Sequence, residues 1–195
     1  MKAVIDTSIF TNPDIYGVFG DSPRRATEVF LELAQNAQVE FFMPSSVYSE
    51  FLKVTDIEPL KERFEIVIRI RSPFRYKIQL PAQLLYEFIE EMRARVNRGL
   101  RIAEEHLKEA SKSPEESAKL VNKLREKYRE ALRAGIIDSK EDLDVILLAF
   151  ELDALLLSAD EGLRKFADKL GIRLIDPAGI QNLLHSSLKV DKIQG

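Results

Sequence analysis

The chain has 195 residues, of which 45% are apolar, and this length suits one domain or one domain with a large insertion. It contains no Cys, which excludes disulfides and thiolate metal sites, and its two His residues are too few and too scattered for a histidine-based zinc site. No run of 18 apolar residues is present and a strand begins almost at once, so we expect a cytoplasmic protein without a signal peptide or a membrane span.

The net charge of −3 is unevenly distributed along the sequence. Residues 91–135 contain 12 basic and 8 acidic residues, a balance of +4, whereas the remainder carries 17 basic and 24 acidic residues, a balance of −7. A basic segment in an otherwise acidic protein is typical of polyanion binding. A solvated helical surface is the alternative explanation for the same composition.

Strands and helices alternate in the first part of the sequence, which predicts a parallel sheet. The predicted elements are a strand at residues 2–5, a helix at 22–37, a strand at 39–43, a helix capped by Ser45, a short helix at 57–64 and a strand or extended loop at 65–71. Ser22 is a typical helix cap and Pro23 suits a first helical turn. Ser72 and Pro73 end this part of the chain.

Residues 82–134 predict two long helices, at 82–110 and 114–134, which would extend roughly 40 Å and 30 Å. Each helix carries a narrow apolar stripe, formed by Leu85, Phe88, Met92, Val96, Leu100, Ala103 and Leu107 on the first and by Val121, Leu124, Tyr128 and Leu132 on the second. Such stripes can hold an antiparallel helical hairpin together and leave one edge for a partner, so we expect a projecting spike. The alternative is that both helices pack on the sheet.

The alternation resumes after the hairpin. The predicted elements are a helix at residues 140–152 capped by Asp138 or Ser139, a strand at 154–158, a helix at 161–170 ended by Gly171, a strand at 172–175 and a helix at 179–184. The sequence thus predicts a body of residues 1–81 and 135–195 into which residues 82–134 are inserted.

Acidic residues follow the ends of predicted strands. Asp6 comes directly after the first strand and Asp160 follows the strand at 154–158, while Asp138, Asp142 and Asp144 surround the start of the helix between them. In parallel α/β sheets, ligands bind beyond the carboxyl ends of the strands. Asp138 and Asp142 are four residues apart and share a helix face, whereas Asp144 lies about 200° around the helix from Asp142 and should face elsewhere.

Several carboxylates in one place need a positive partner, because like charges at close range raise one another's pKa. A hard divalent ion, Mg²⁺ or Mn²⁺, is the partner that oxygen ligands favour. We expect catalytic roles for Asp6, Asp138, Asp142, Asp144 and Asp160, and metal ligation by Asp6, Asp142, Asp160 and Glu50. For the acids of the first helical turn, stabilisation of the helix dipole is the alternative role, and for Glu50 it is a simple surface position.

Two other classes of phosphate chemistry are excluded. A haloacid-dehalogenase-type phosphatase needs a second Asp two residues after the first, and that position holds Ser8. No glycine-rich run precedes a Lys-Ser or Lys-Thr pair, so a P-loop is absent from the sequence. Without an obvious nucleophilic side chain, a metal-activated water is the expected attacking group.

Short motifs around these acids resemble the PIN-domain nucleases. They are Ile5-Asp6-Thr7-Ser8, Ser45-Ser46-Val47-Tyr48-Ser49-Glu50, and Asp142 with Ala149, Glu151-Leu152 and Ser158-Ala159-Asp160. The resemblance implies a three-layer α/β/α nuclease that uses Mg²⁺ or Mn²⁺.

Longer segments are similar to the minimal protein-only ribonuclease P family, often called HARP. These are Tyr86-Glu87-Phe88-Ile89-Glu90-Glu91, the run from Gly99 to His106, the run from Leu124 to Arg133, and Asp138-Ser139-Lys140-Glu141-Asp142. The resemblance implies removal of the 5′ leader from precursor tRNA without an RNA subunit. It also implies dimers that pair through the spike and assemble into a larger ring, a dodecamer.

Arg125, Arg129 and Arg133 recur every four residues and form a charged row on one helix face. We expect this row to bind phosphates of the tRNA elbow. Pairing with neighbouring glutamates, at about 0.2–0.5 kcal/mol per pair, is the alternative.

Two other functions remain open from the sequence. A toxin-type PIN ribonuclease would cut other structured RNA, although such proteins usually lack a long helical insertion. A non-catalytic RNA-binding assembly factor would have lost its acids, and here they are present.

Overall fold

The computed structural model describes residues 1–110, 117–133, 137, 139–176 and 179–186. The chain divides into two compact units. The body unit comprises residues 1–78 and 139–195, and the hairpin unit comprises residues 79–138. None of the helices in the described part of the chain combines the length and the apolar content needed to cross a membrane.

A parallel sheet forms the centre of the body unit. Its strands are β1 (Lys2–Ile5), β2 (Glu40–Met43), β3 (Ile68–Ile70) and β4 (Leu155–Leu157). The order β3-β2-β1-β4 places β1 and β2 in the interior of the sheet, and every pair is parallel. Ile5 pairs with Leu157, so the carboxyl ends of β1 and β4 are aligned at one edge.

Helices connect and cover the strands. They are α1 (Ser8–Thr11), α2 (Pro13–Tyr16), α3 (Pro23–Ala34), α4 (Ser45–Val54), α5 (Lys61–Val67), α6 (Gln83–Ala110), α7 (Ser117–Arg133), α8 (Lys140–Leu152), α9 (Glu161–Lys169) and α10 (Ile180–Ser186), with a 3₁₀ turn at Glu58–Leu60. The predicted α/β fold, a parallel sheet with helices and an inserted long helical hairpin, is confirmed.

Several local predictions are confirmed at the helix ends. Ser22 caps α3, since its hydroxyl accepts the N–H of Arg25, and Ser139 caps α8 by accepting the N–H of Asp142. Gly171 follows α9 with a φ of +69°, a conformation that glycine adopts without strain. These signals are local in sequence, which explains why they could be predicted.

Three other predictions differ from the structure, and two short helices were missed. Helix α4 begins at Ser45 itself with Pro44 before it, and Ser45 makes no capping bond. Residues 61–67 are helical, and only 68–70 form the strand expected over 65–71. The strand expected at 172–175 is a single bridge between Leu156 and Leu174. The short helices α1 and α2 were not predicted, since four residues are too few for a periodic pattern.

Phenylalanine rings form the core of the body unit on one face of the sheet. Phe10 contacts Phe30, Phe51 and Phe64 with ring centroids 5.2–6.0 Å apart, and Phe30 contacts Phe41 of β2 at 5.4 Å. These side chains are almost fully buried. The cluster joins α1, α3, α4 and α5 to the sheet and thereby fixes the segments that follow β1 and β2.

The hairpin unit consists of α6 and α7, which pack as an antiparallel pair. Arg98 of α6 donates to the carbonyl of Ala131 at 3.4 Å, and further along α6 Glu109 pairs with Lys123 at 3.7 Å. Gly99 lies against the ring of Tyr128, since a Cβ added there would come within 2.6 Å of a ring carbon. A small residue at this position therefore permits close approach of the two helices.

The predicted apolar stripe of α6 does not form the contact with α7. Its large side chains are between 40% and 73% exposed: Leu85, Phe88, Met92, Val96, Leu100 and Leu107. The buried positions of α6 are instead Arg95, Gly99 and His106, which lie on the neighbouring face. Arg95 also donates to the carbonyl of Ile137 at 2.9 Å, a polar contact within the hairpin unit. The stripe, called the α6 stripe below, stays on the surface of this protomer.

Candidate active site

Asp6 lies at the carboxyl end of β1, next to the end of β4. Its backbone N–H continues the sheet by donating to the carbonyl of Leu157 at 3.0 Å. Its Oδ2 accepts bonds from the Ser158 hydroxyl at 2.9 Å, from the Ser8 N–H at 3.3 Å and from the Ser8 hydroxyl. The carboxylate is thus held in one orientation by groups from both strand ends.

The environment of Asp6 disfavours its charge. Burial raises the pKa of the Asp6 carboxyl above the ordinary value, and the hydrogen bonds from Ser8 and Ser158 oppose this effect without cancelling it. A carboxylate that is buried, oriented and short of positive charge is suited to receive a cation.

Asp160 caps the helix that follows β4. Its Oδ1 accepts the N–H of Leu163 at 2.7 Å, and its own N–H donates to the Ser158 hydroxyl at 3.0 Å. The residue itself is exposed. Asp160 therefore has a structural role at the start of α9 and is also tied, through Ser158, to Asp6.

The capping role of Asp160 predicts different stabilities for two variants. Asp160→Ala removes the cap and should lower the free energy of unfolding by about 1 kcal/mol, which is about 2–4 °C in Tm for a chain of this size. Asp160→Asn keeps an oxygen that accepts the same N–H and should melt close to the wild type. Thermal unfolding followed by circular dichroism measures both. Equal melting of the two variants would contradict the cap.

Ser8 and Ser158 were not among the predicted site residues, yet they connect the acids. The two hydroxyl oxygens lie 3.3 Å apart, and the Ser8 hydroxyl also accepts the N–H of Ala159 at 2.8 Å. The sequence signal was present, because each serine lies two residues from an acid at a strand end. Two serines in such positions are common in turns, so the signal alone was not specific.

Helix α8 brings two further acids to the same edge of the sheet. Asp142 is half-buried in its first turn, directly after the Ser139 cap. Asp144 is buried and accepts the Ser46 hydroxyl at 2.6 Å, which places the start of α8 beside the start of α4, just beyond β2. Asp144 also accepts two bonds from the Arg75 guanidinium, one of them 2.9 Å long. In this arrangement Asp144 binds a side-chain cation.

The remaining predicted residues have different surroundings. Glu50 is exposed on α4, four residues after Ser46 and thus on the helix face that points toward Asp144. Arg125 and Arg129 are exposed on α7. Asp138 and the side chain of Arg133 lie outside the described residues.

The chemistry of the predicted set suits a divalent cation. All of its members offer carboxylate oxygens, the donors that Mg²⁺ and Mn²⁺ prefer, and a cation beside the buried Asp6 would offset the effect of burial on its charge. Within the described residues, no three or more acidic or His side chains are already grouped as a metal site. The structure brings Asp6, Ser8, Ser158 and Asp160 into one hydrogen-bonded group, with Asp142 and Asp144 at the same edge of the sheet.

Comparisons with known proteins agree with a nuclease. Residues 2–189 match the family model described as PINc domain ribonuclease. The chain is 50% identical over 185 residues to the RNA-free ribonuclease P of Halorhodospira halophila, covering 95% of this chain and 90% of that protein. It is 51% identical over 187 residues to the protein of that name from Nitrosococcus oceani, covering 95% and 94%. It is 41% identical over 197 residues to the RNA-free ribonuclease P of Thermococcus kodakarensis, covering 100% of this chain and 98% of that protein.

Proposed function

Because this chain belongs to the RNA-free ribonuclease P family of PINc-domain ribonucleases, we propose that its reaction takes place at the sheet edge that carries Asp6, Asp142 and Asp160. The protein is an endoribonuclease that processes precursor tRNA without an RNA subunit. The proposed step is hydrolysis of the phosphodiester at the mature 5′ end, in the cytoplasm. It releases the leader with a 3′-hydroxyl and leaves a 5′-phosphate on the tRNA.

The observation that carries this proposal is the buried Asp6 in a serine network shared with Asp160. PIN-domain nucleases depend in general on divalent metal ions, and we propose Mg²⁺, or Mn²⁺, for this one. A bound ion lowers the pKa of a water molecule and stabilises the leaving oxygen. We propose that Asp6, Asp142 and Asp160 hold it, with Asp138 and Glu50 in support.

The other residues at this edge of the sheet orient the proposed metal ligands and the segments around them. Ser8 and Ser158 donate to one oxygen of Asp6, which fixes the carboxylate and leaves its second oxygen for another partner. Asp160 uses Oδ1 for the helix cap. Asp144, which we also place among the catalytic acids, holds Arg75 and thereby positions the chain after β3.

The test is cleavage of a 5′-labelled precursor tRNA by the purified protein, with Mg²⁺ and again with EDTA. We expect one Mg²⁺-dependent cut at the mature 5′ end. Cuts elsewhere would indicate a PIN ribonuclease of the toxin type that acts on other structured RNA. Tight binding without cleavage would indicate a non-catalytic RNA-binding assembly factor.

Substrate binding and assembly are proposed for the hairpin unit. Arg125 and Arg129 are four residues apart on one face of α7 and both are exposed, so with Arg133 they are placed to bind phosphates of the tRNA elbow. The α6 stripe exposes large apolar side chains over much of a helix roughly 40 Å long, an unusual surface for a monomer. We propose that it pairs with a second copy and that these dimers assemble further into a dodecamer.

A charged residue in the α6 stripe should weaken self-association. Val96 is 59% exposed near the middle of the stripe, and Val96→Glu would bury an unpaired carboxylate in the proposed contact. The expected cost is about 3 kcal/mol, or roughly 100-fold in the dissociation constant. Mass photometry across a dilution series measures it. Asn97→Glu adds the same charge one residue away and outside the stripe, so it should assemble normally, and equal behaviour of the two variants would contradict the interface.

A further inference from the structure

The loop of residues 71–78, which follows β3, is exposed, basic and aromatic. It contains three basic residues, Phe74 and Tyr76, and no acidic residue. Phe74 is 58% exposed, and Tyr76 is fully exposed at 103%. Aromatic side chains normally bury most of their surface, so two exposed rings within three residues point to a ligand.

Several contacts hold this loop in place. Glu151, near the end of α8, accepts the Phe74 N–H at 2.7 Å and also pairs with the side chain of Arg71. Arg75 is bound to the buried Asp144 near the start of the same helix. Within the loop, the N–H of Lys77 donates to the carbonyl of Phe74 at 2.8 Å. The loop is thus anchored at two points of α8, and ordering its backbone before the ligand arrives lowers the entropic cost of binding.

The chemistry of the loop fits a single-stranded nucleic acid. The Arg71 guanidinium lies 4.6 Å from the centre of the Phe74 ring, and the Lys77 ammonium lies 5.8 Å from it on the same loop. Cations beside exposed aromatic rings form the usual platform on which unpaired bases stack while the phosphates are neutralised. Duplex RNA is recognised by its shape and backbone and offers no free base to stack on a ring.

The loop lies close to the proposed reaction site. Strand β3 is separated from β1 by β2 alone, so the carboxyl end of β3 lies two strand spacings, about 10 Å, from that of β1, where Asp6 is found. Arg75 connects the loop directly to Asp144. An RNA strand whose scissile phosphate lies at the acids can therefore reach the loop within a short length of unpaired chain.

We propose that the loop of residues 71–78 binds the unpaired 5′ leader of the precursor, with Tyr76 stacking on a leader base and Lys77 contacting a leader phosphate. This inference rests on the proposed function, since the leader is the single strand at the cleavage site that the precursor carries and the leaderless tRNA lacks. A protein partner is the less suitable occupant, because the loop itself contains no acid and combines its exposed rings with Lys77, whose ammonium lies beside the Phe74 ring.

The test compares a leader-bearing precursor tRNA with the same tRNA lacking its leader. Binding of both is measured by fluorescence anisotropy in EDTA, with wild type, Tyr76→Ala, Tyr76→Phe and Lys77→Ala. Tyr76→Ala should weaken binding of the precursor about 5- to 100-fold and leave the leaderless tRNA unaffected, whereas Tyr76→Phe keeps the ring and should bind as the wild type. Lys77→Ala should reduce the salt dependence of precursor binding by about 0.7 in the logarithmic slope.

The control variant is Ile66→Ala. Ile66 is 79% exposed and precedes the amino end of β3, whereas the loop follows the carboxyl end of that strand. The variant should bind both RNAs as the wild type does. Equal loss of both RNAs in Tyr76→Ala, or no loss, would overturn the leader assignment. A change of assembly state in Tyr76→Ala, measured by mass photometry, would overturn it in favour of a protein contact. Wild-type cleavage at the mature 5′ end, run on the same preparations, separates these outcomes from failure of the proposed function.

Discussion

Asp142→Asn is expected to lower the single-turnover rate of precursor tRNA cleavage by about three orders of magnitude, or roughly 4 kcal/mol of transition-state stabilisation. The substitution removes a charged oxygen that we assign to metal ligation and keeps the shape of the side chain. The fold should survive, because the cap of α8 is the hydroxyl of Ser139 and not the Asp142 side chain. Loss of a first-turn carboxylate costs only about 0.3–1 kcal/mol of helix stability.

A matched control is available on another helix of the body unit. Asp168 is exposed in α9, away from the strand ends, and Asp168→Asn makes the same chemical change. It should cleave and melt as the wild type does. If Asp142→Asn also cleaves at the wild-type rate, Asp142 is not a metal ligand and the proposed site is wrong.

Asp6→Asn is expected to abolish cleavage and at the same time to stabilise the fold. Burial raises the pKa of Asp6, so the ionised carboxylate costs stability in the absence of a cation. Asn keeps a side-chain oxygen that can accept the bonds from Ser8 and Ser158 without the charge. An increase of about 1 kcal/mol in the free energy of unfolding, or about 2–4 °C in Tm, is expected at neutral pH in EDTA.

The pH dependence of this gain follows from the raised pKa. A carboxyl with a raised folded-state pKa contributes its full stability below pH 3.8, its unfolded value, and loses it as pH rises through the higher folded-state value. The advantage of Asp6→Asn should therefore vanish near pH 3 and grow as the pH rises to neutrality. A Tm difference that is constant with pH would contradict the buried charge as its cause.

Metal addition gives an independent measure of the same site. Mg²⁺ or Mn²⁺ that binds the folded protein should raise the wild-type Tm, by about 2.7 kcal/mol of stabilisation at 100 times the dissociation constant. The increase should be smaller in Asp6→Asn and unchanged in Asp168→Asn. Equal metal-dependent stabilisation of all three proteins would place the ion elsewhere.

Two buried acids at this edge of the sheet relate the stability of the protein to its activity. Asp6 is buried where its charge is unfavourable, and Asp144 is buried with Arg75 as its partner. The charge of Asp144 is neutralised by Arg75, and we propose that a metal ion neutralises the charge of Asp6. Asp6, the carboxylate whose burial opposes its charge, is thus also one that we assign to the reaction.

Local and periodic signals made much of the fold predictable. The strands that end at Ile5 and Met43, the Ser22 and Ser139 caps and the extent of α8 all follow from residues within a few positions of one another. The parallel order then places Asp6 and Asp160 at one edge, because the carboxyl ends of parallel strands lie together. Hydrophobic pattern, caps and strand ends were sufficient for these features.

Only the tertiary structure decided the contacts between residues that are distant in sequence. Ser8 and Ser158, 150 positions apart, meet beside Asp6, and Arg75 reaches Asp144 across 69 positions. The raised pKa of Asp6 depends on its burial, and burial cannot be predicted from a short sequence motif. The buried face of α6 also could not be predicted, since Arg95, Gly99 and His106 are buried while the apolar stripe beside them is exposed. The sequence therefore determined which acids line the edge of the sheet. Three-dimensional packing determined which groups orient these acids, which neutralise their charge and which acids are exposed. These effects arise only when segments distant in sequence are brought together.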